Sequence, residues 1–254
     1  MHDELYANQS SPEQIAGRLK KMFDISLHHE TIYRYILQDR ADGGELYLQL
    51  RYKQKPYRKR YGSSNGCTNS AKGIPNRVDI DQRPQEVNDR LRVGDWEADT
   101  VIGAHHKGAM VTLDERVSKL RLALPQIGKF AIETKDSIIE LLKPFSEFVK
   151  TITFDNGKEF AKHMDIADSL ECDTYFAKPY RSWERGQNEN ANGLLRQYFP
   201  KGMEFVDIAR KEVIDAVNRL NSRPRKCLGF ATPYEAFMEL TGLDAKIMVK
   251  GIRL

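Results

Sequence analysis

An α/β fold, with a mixed five-stranded sheet flanked by helices and a small all-helical region before it, is predicted here by three observations. Apolar segments of strand length cluster between Trp96 and Phe176, helical periodicity with capping signals occupies the first forty residues, and a basic stretch rich in small residues separates the two. The 254 residues allow one domain or two, and 40% hydrophobic content is enough for a sizeable core.

The first helix is expected to start near Pro12. Ser11-Pro12-Glu13-Gln14 has the form of a capping box with proline at the first helical position, and Ile15, Leu19 and Met22 follow at helical spacing. After a break at residues 23–26, the stretch from His28 to Leu37 sets Ile32, Tyr33 and Ile36 on one face and leaves His28, His29, Thr31 and Arg34 outside it. Together these two helices outline a helix-turn-helix whose second helix would enter a major groove. A hairpin that merely packs on a neighbouring domain has the same pattern. His28 and His29 read as polar surface residues rather than metal ligands, because no second ligand pair stands at a suitable spacing.

Residues 51–60 hold Arg51, Lys53, Lys55, Arg58, Lys59 and Arg60 without one acid, and small residues follow at 62–66. Such a segment is a linker whose cations would contact phosphates in a salt-sensitive way. Over the whole chain charge is nearly balanced, at +4, so composition only mildly favours a polyanionic partner. Three separated cysteines suggest neither disulfides nor a zinc site. No apolar run approaches the roughly 18 residues of a membrane span, and the N-terminus lacks the signature of a signal peptide. A cytoplasmic protein is expected.

Residues 96–102, 109–113 and 120–124 then form an antiparallel meander. A helix with Ile132, Ile138, Ile139, Leu142, Phe145 and Phe148 on its apolar face comes next, followed by a strand at 151–154, a further helix and a short strand at 174–176. Asp99 falls within the first strand and Asp155 directly after the fourth. If those strands are parallel neighbours, the two carboxylates meet in the crevice beyond the strand ends. Glu189 would arrive on a helix that turns Asn192, Gly193 and Arg196 the same way, with Ala191, Leu194, Leu195 and Tyr198 towards the sheet. Three converging carboxylates repel one another unless they share divalent cations, and such sites act on phosphodiesters. Spacing alone is weak evidence, since Asp95 and Glu97 lie on the same strand face and either could be the ligand.

The words GDWEADTVIG (94–103), TITFDNGKEFA (151–161), PYRSWERGQNENANGLLRQYFPKG (179–202) and RLNSRPRKCLGFATPYEAF (219–237) resemble transposases of the insertion sequence 30 family, DDE recombinases with an RNase H-like catalytic domain. The resemblance runs from about Ser11 to Phe237. It implies that Asp99, Asp155 and Glu189 are the catalytic and metal-binding triad, with 33 residues between the last two. It implies two Mg²⁺ ions, for which Mn²⁺ substitutes, and no organic cofactor. The implied partners are double-stranded DNA, as element inverted repeats and as target, and further copies of the chain. The setting would be the bacterial cytoplasm, at the nucleoid, with no membrane. Family members carry a further N-terminal helix-turn-helix, which this chain is expected to lack.

The expected organisation is therefore a helix-turn-helix region at 1–50, a basic flexible linker at 51–88, an RNase H-like core at 89–205 and a helical appendix at 206–254. Further DNA contacts are expected from Lys178, Arg181 and Arg185 in the loop before Glu189, where Tyr180 and Trp183 either stack on an unpaired base or anchor the loop. Arg196 and the loop cations Arg223, Arg225 and Lys226 complete the set. His163 reads as a turn cap rather than a site residue. The reading is a metal-dependent transposase that cleaves element ends and transfers strands to target DNA. Its alternatives are an inert DNA-binding remnant acting as a repressor, and a metal-dependent nuclease without strand transfer.

Overall fold

The computed structural model describes residues 2–51, 74–178 and 186–251, and within these the chain forms two compact units. The first comprises residues 1–69 together with 222–232, and the second residues 70–221 and 233–254.

The first unit begins with α1 (His2–Tyr6), α2 (Pro12–Phe23) and α3 (His29–Ala41). The capping box of α2 is present: the Ser11 hydroxyl accepts from the Gln14 amide at 3.3 Å, and Gln14 Oε1 accepts from the Ser11 amide at 2.8 Å. Leu5, Ile15, Ile32, Ile36 and Leu46 form the core. Tyr33 and Met22, expected on the apolar faces, are exposed, because a three-helix core this small is filled by one or two side chains from each helix. Helix α3 runs four residues past Leu37, and Gly43 at φ +86° then reverses the chain where other residues are strained. Residues 222–232, expected in the C-terminal appendix, pack here. Arg223 is buried and donates from Nε to the Asn8 carbonyl at 2.6 Å, and Gln14 Nε2 donates to the Pro224 carbonyl at 2.8 Å.

In the second unit a short helix, α4 (Gln85–Asn88), precedes β1 (Asp95–Ile102), β2 (Ala109–Glu115) and β3 (Arg121–Gln126). Then follow α5 (Ala131–Leu142), β4 (Thr151–Phe154), α6 (His163–Leu170), β5 (Asp173–Phe176), α7 (Gly186–Leu195), α8 (Arg210–Asn221), α9 (Pro233–Thr241) and α10 (Ala245–Gly251). The strands form one mixed sheet in the order β3-β2-β1-β4-β5, with β1 to β3 antiparallel and β1, β4 and β5 parallel. This is the RNase H-like class. Strand β3 continues through Pro125 because it lies at the sheet edge, where a missing N–H is tolerated. Pro144 ends α5 early, so Phe145 reaches the core from a tighter 3-10 segment, while Ile132 in the first turn stays exposed.

Residues 74–88, expected in a flexible linker, are ordered on the sheet: the Phe176 amide donates to the Val78 carbonyl at 2.9 Å, and Ile74, Ile80 and Val87 are buried. Alternation divides the sheet into two faces. Trp96, Ala98, Val111, Leu113, Ile152 and Phe154 pack against α5, α6, α9 and α10. On the opposite face Val101, Met110 and Ala123 meet Leu195 of α7 and Val213, Ala216, Val217 and Leu220 of α8. Part of the expected appendix is therefore core.

Candidate active site

On the face that receives α7 and α8, β1 presents Asp95, Glu97 and Asp99 in alternation. A carboxylate buried in a sheet needs partners, and the first two have them. Asp95 accepts from the Thr151 hydroxyl at 2.8 Å and from Arg92 Nε at 3.2 Å, while Glu97 is ion-paired with buried Arg116. Asp99 is different: it is half-buried, nearer the C-terminal end of the strand. The alternatives left open on this strand face are thus both occupied in structural pairs.

Strand β4 is the parallel neighbour of β1, with Asp95 opposite Thr151, Trp96 opposite Ile152 and Glu97 opposite Thr153. Asp99 lies two residues beyond Glu97 and Asp155 two residues beyond Thr153, so both follow just past the last paired residues of these neighbouring strands. Asp155 is also half-buried, and its Oδ1 accepts from the Gly157 amide at 2.8 Å. The turn is braced by Asn156, which donates to the Ala177 carbonyl at 2.8 Å and accepts from Arg77 at 2.5 Å.

The third element is α7. Asn192 Nδ2 donates to Asp99 Oδ2 at 2.6 Å, which brings this helix onto the carboxylate strand. Glu189 lies on α7 three residues before Asn192; its side chain is outside those described. Among the described residues no group of three or more His, Cys, Asp or Glu could hold a metal ion. Asp99 on β1 and Asp155 just after β4 nonetheless offer hard oxygen donors, the chemistry that suits Mg²⁺ or Mn²⁺.

His163 is fully buried between Thr174 Oγ1 at 2.9 Å and the Pro75 carbonyl at 2.8 Å, so it ties α6 to β5 and to the segment before the sheet. Arg196 donates to the Ile102 carbonyl at 2.9 Å, and its guanidinium lies 5.4 Å from the Phe205 ring centre. Lys178 is ion-paired with Asp81.

In the first unit His28 caps α3, accepting from the Glu30 amide at 3.4 Å, and stacks on His29 with ring centres 4.3 Å apart. Thr31 and Arg34 are exposed on the same helix. Lys226 is exposed and ion-paired with Glu13 at 2.7 Å, which holds the Glu13 carboxyl below its ordinary value. The Arg225 amide donates to the Ala231 carbonyl at 2.8 Å. Lys53, Lys55, Arg58, Lys59, Arg60, Arg181 and Arg185 lie outside the described residues, as do Tyr180 and Trp183.

Sequence reasoning missed Arg121 and Asp114. Arg121 is buried and grips Asp114 with both arms of its fork, at 2.8 and 2.6 Å, and it also reaches Asn192. The available signal was a charge on each of two otherwise apolar neighbouring strands, since such charges must be paired if they are buried.

Among the described residues no helix is long and apolar enough to cross a membrane. No family model matches the chain. Over 231 residues it is 47% identical to a transposase for insertion sequence element IS4351 of Bacteroides fragilis, covering 91% of this chain and 69% of that protein. A transposase for element IS1086 of Cupriavidus metallidurans is 36% identical over 236 residues, again covering 91% and 69%. Among solved structures, the catalytic core domain of BIV integrase aligns with 58% of this chain and 95% of its own, at 23% identity and a TM-score of 0.46.

Proposed function

The chain belongs to the insertion sequence 30 family of transposases, and from that premise we propose that it cuts and joins DNA phosphodiesters at a site made of Asp99, Asp155 and Glu189. The observation that supports this reading is the parallel pairing of β1 with β4, after which Asp99 and Asp155 follow at equal distance along their chains, while the other two acids of that strand face are consumed by arginine and threonine partners.

Two divalent cations held by the three carboxylates, Mg²⁺ or Mn²⁺, would supply Lewis-acid activation of the attacking oxygen and stabilise charge on the leaving one. The chain's own contribution is geometric. The Asn192 amide and the Gly157 amide each donate to one carboxylate oxygen and so fix the planes in which Asp99 and Asp155 present themselves. Water would attack at an element end, and the freed 3′-hydroxyl would then attack target DNA in line, with no covalent enzyme intermediate. We assign the exposed face of α3, with His28, His29, Thr31 and Arg34, to DNA, and we expect several copies of the chain to act together on paired ends.

Incubating the protein with labelled DNA that carries terminal inverted repeats, in Mg²⁺ or Mn²⁺, tests this directly. Nicked and joined products that disappear in Glu189→Gln and Asp155→Ala are expected. Equal activity in Asp155→Ala would remove the triad, and nicking without joining would leave a nuclease.

A further inference from the structure

Arg121, the first residue of β3, is more heavily engaged than an arginine paired with one acid. Its Nε and Nη2 donate to Asp114 Oδ1 and Oδ2 at 2.8 and 2.6 Å across the β2–β3 ladder. The fork also reaches α7, where Nη1 donates to the Ala191 carbonyl and Nη2, through its second hydrogen, to Asn192 Oδ1, both at 2.8 Å. The Arg121 main chain is fixed as well: Asn221 of α8 accepts from its amide at 3.0 Å and donates to its carbonyl at 2.7 Å. A guanidinium so held has little freedom left.

The orientation of Asn192 follows from chemistry. Arginine carries only donors, so the side-chain oxygen of Asn192 must face Arg121 and the nitrogen must face the other way. There it meets Asp99 Oδ2 at 2.6 Å, a charge-assisted bond to an acceptor. Asp114, Arg121, Asn192 and Asp99 therefore form one buried or half-buried relay with alternating polarity, running from β2 through β3 and α7 to β1.

We propose that Arg121 is a positioning residue that acts through Asn192: it locks α7, and with it the position of Glu189, against the strand that carries Asp99, and it fixes the plane of the Asp99 carboxylate. This rests on the reading of Asp99 and Glu189 as catalytic. The Asp114 pair uses two of the five guanidinium N–H donors, so burial obliges the others to find acceptors, and two of them find theirs on α7. The donors spent on α7 serve its placement.

Four variants separate the two halves of the relay. In Arg121→Lys the ammonium can keep Asp114 but cannot hold Ala191 and Asn192 in a fixed fork. With far-UV spectrum and DNA-end affinity unchanged, α7 amides in metal-free protein should exchange about tenfold faster, and the cleavage kcat should fall about 10- to 100-fold with little change in KM. Asn192→Asp retains an acceptor for Arg121 but sets a like charge against Asp99. Its α7 protection should stay at the wild-type level while cleavage falls about 100-fold or more. Asn192→Leu removes both bonds, and the double variant Arg121→Lys, Asn192→Leu should be no worse than the poorer single.

Wild-type cleavage in Arg121→Lys despite faster α7 exchange would overturn the proposal, as would losses that multiply in the double variant. If Arg121→Lys does not fold, the pair Asn192→Leu and Asn192→Asp decides it: equal cleavage in both, at the wild-type rate, overturns it. An active Asp155→Ala protein would instead sink the catalytic reading and leave the α7 exchange result standing on its own.

Discussion

Arg116 is ion-paired with Glu97 in the sheet interior, two residues before Asp99 on the same face of β1. The two acids have the same periodicity and different fates. Glu97→Gln leaves the Arg116 charge buried and unpaired, which costs about 3–5 kcal/mol. Asp99→Asn keeps an oxygen that can still accept from Asn192 and stands at a half-buried position, so its stability should remain within about 1 kcal/mol of wild type. Urea unfolding in metal-free buffer, paired with the cleavage assay, should give an unstable Glu97→Gln and a stable, inactive Asp99→Asn.

Metal addition separates binding from folding. If Asp99 and Asp155 hold divalent ions, Mg²⁺ at about 100 times its dissociation constant should stabilise the wild type by about 2.7 kcal/mol, and chelation should reverse it. Asp99→Asn and Asp155→Asn should show no such rise in Tm. An undiminished rise in both variants would put the ions elsewhere.

The Pro75 carbonyl can only accept, so His163 Nε2 carries a proton, and in a neutral ring Nδ1 accepts from the Thr174 hydroxyl. Thr174→Val removes that donor and should cost about 1–3 kcal/mol, and His163→Ala, which also opens a cavity, about 2–5 kcal/mol. Cleavage per folded molecule should be unchanged in both. A His163→Ala protein that folds normally and fails to cut would assign this residue to the chemistry instead.

Burial pushes the Cys172 thiol up from the ordinary 9.0 to about 12. Because the folded value is the higher one, this group's stability contribution is fully present below pH 9.0, and it is lost as pH rises through 12. Cys172→Ala should flatten the alkaline limb of the stability profile in that window. At pH 8 iodoacetamide should label exposed Cys227 well before Cys172, as read by peptide mass spectrometry. Equal rates would contradict the burial.

Much of the framework around the candidate site was legible because strand and helix periods are local. The alternation around Asp99, the turn after residue 154 and the spacing of Asn192 from Glu189 all follow from a few consecutive residues, as does the capping box at Ser11. The same local reading placed Arg196 and Arg223 outside, although both guanidiniums donate to main-chain carbonyls within their units. Periodicity tells which face a side chain takes, and it does not tell what waits there.

By itself the sequence determined the elements, the face of β1 that carries three acids and the resemblance that singles out one of them. Only the tertiary structure decided that β4 lies parallel beside β1, that Arg116, Arg92 and Thr151 take up Glu97 and Asp95, and that Arg121 reaches α7. Each of those contacts joins segments about 20 to 70 residues apart or more, apart from the local Arg92–Asp95 pair. The physical reason is that burying a charge forces it to find a partner, while the identity of that partner is set by which strands and helices come to lie side by side.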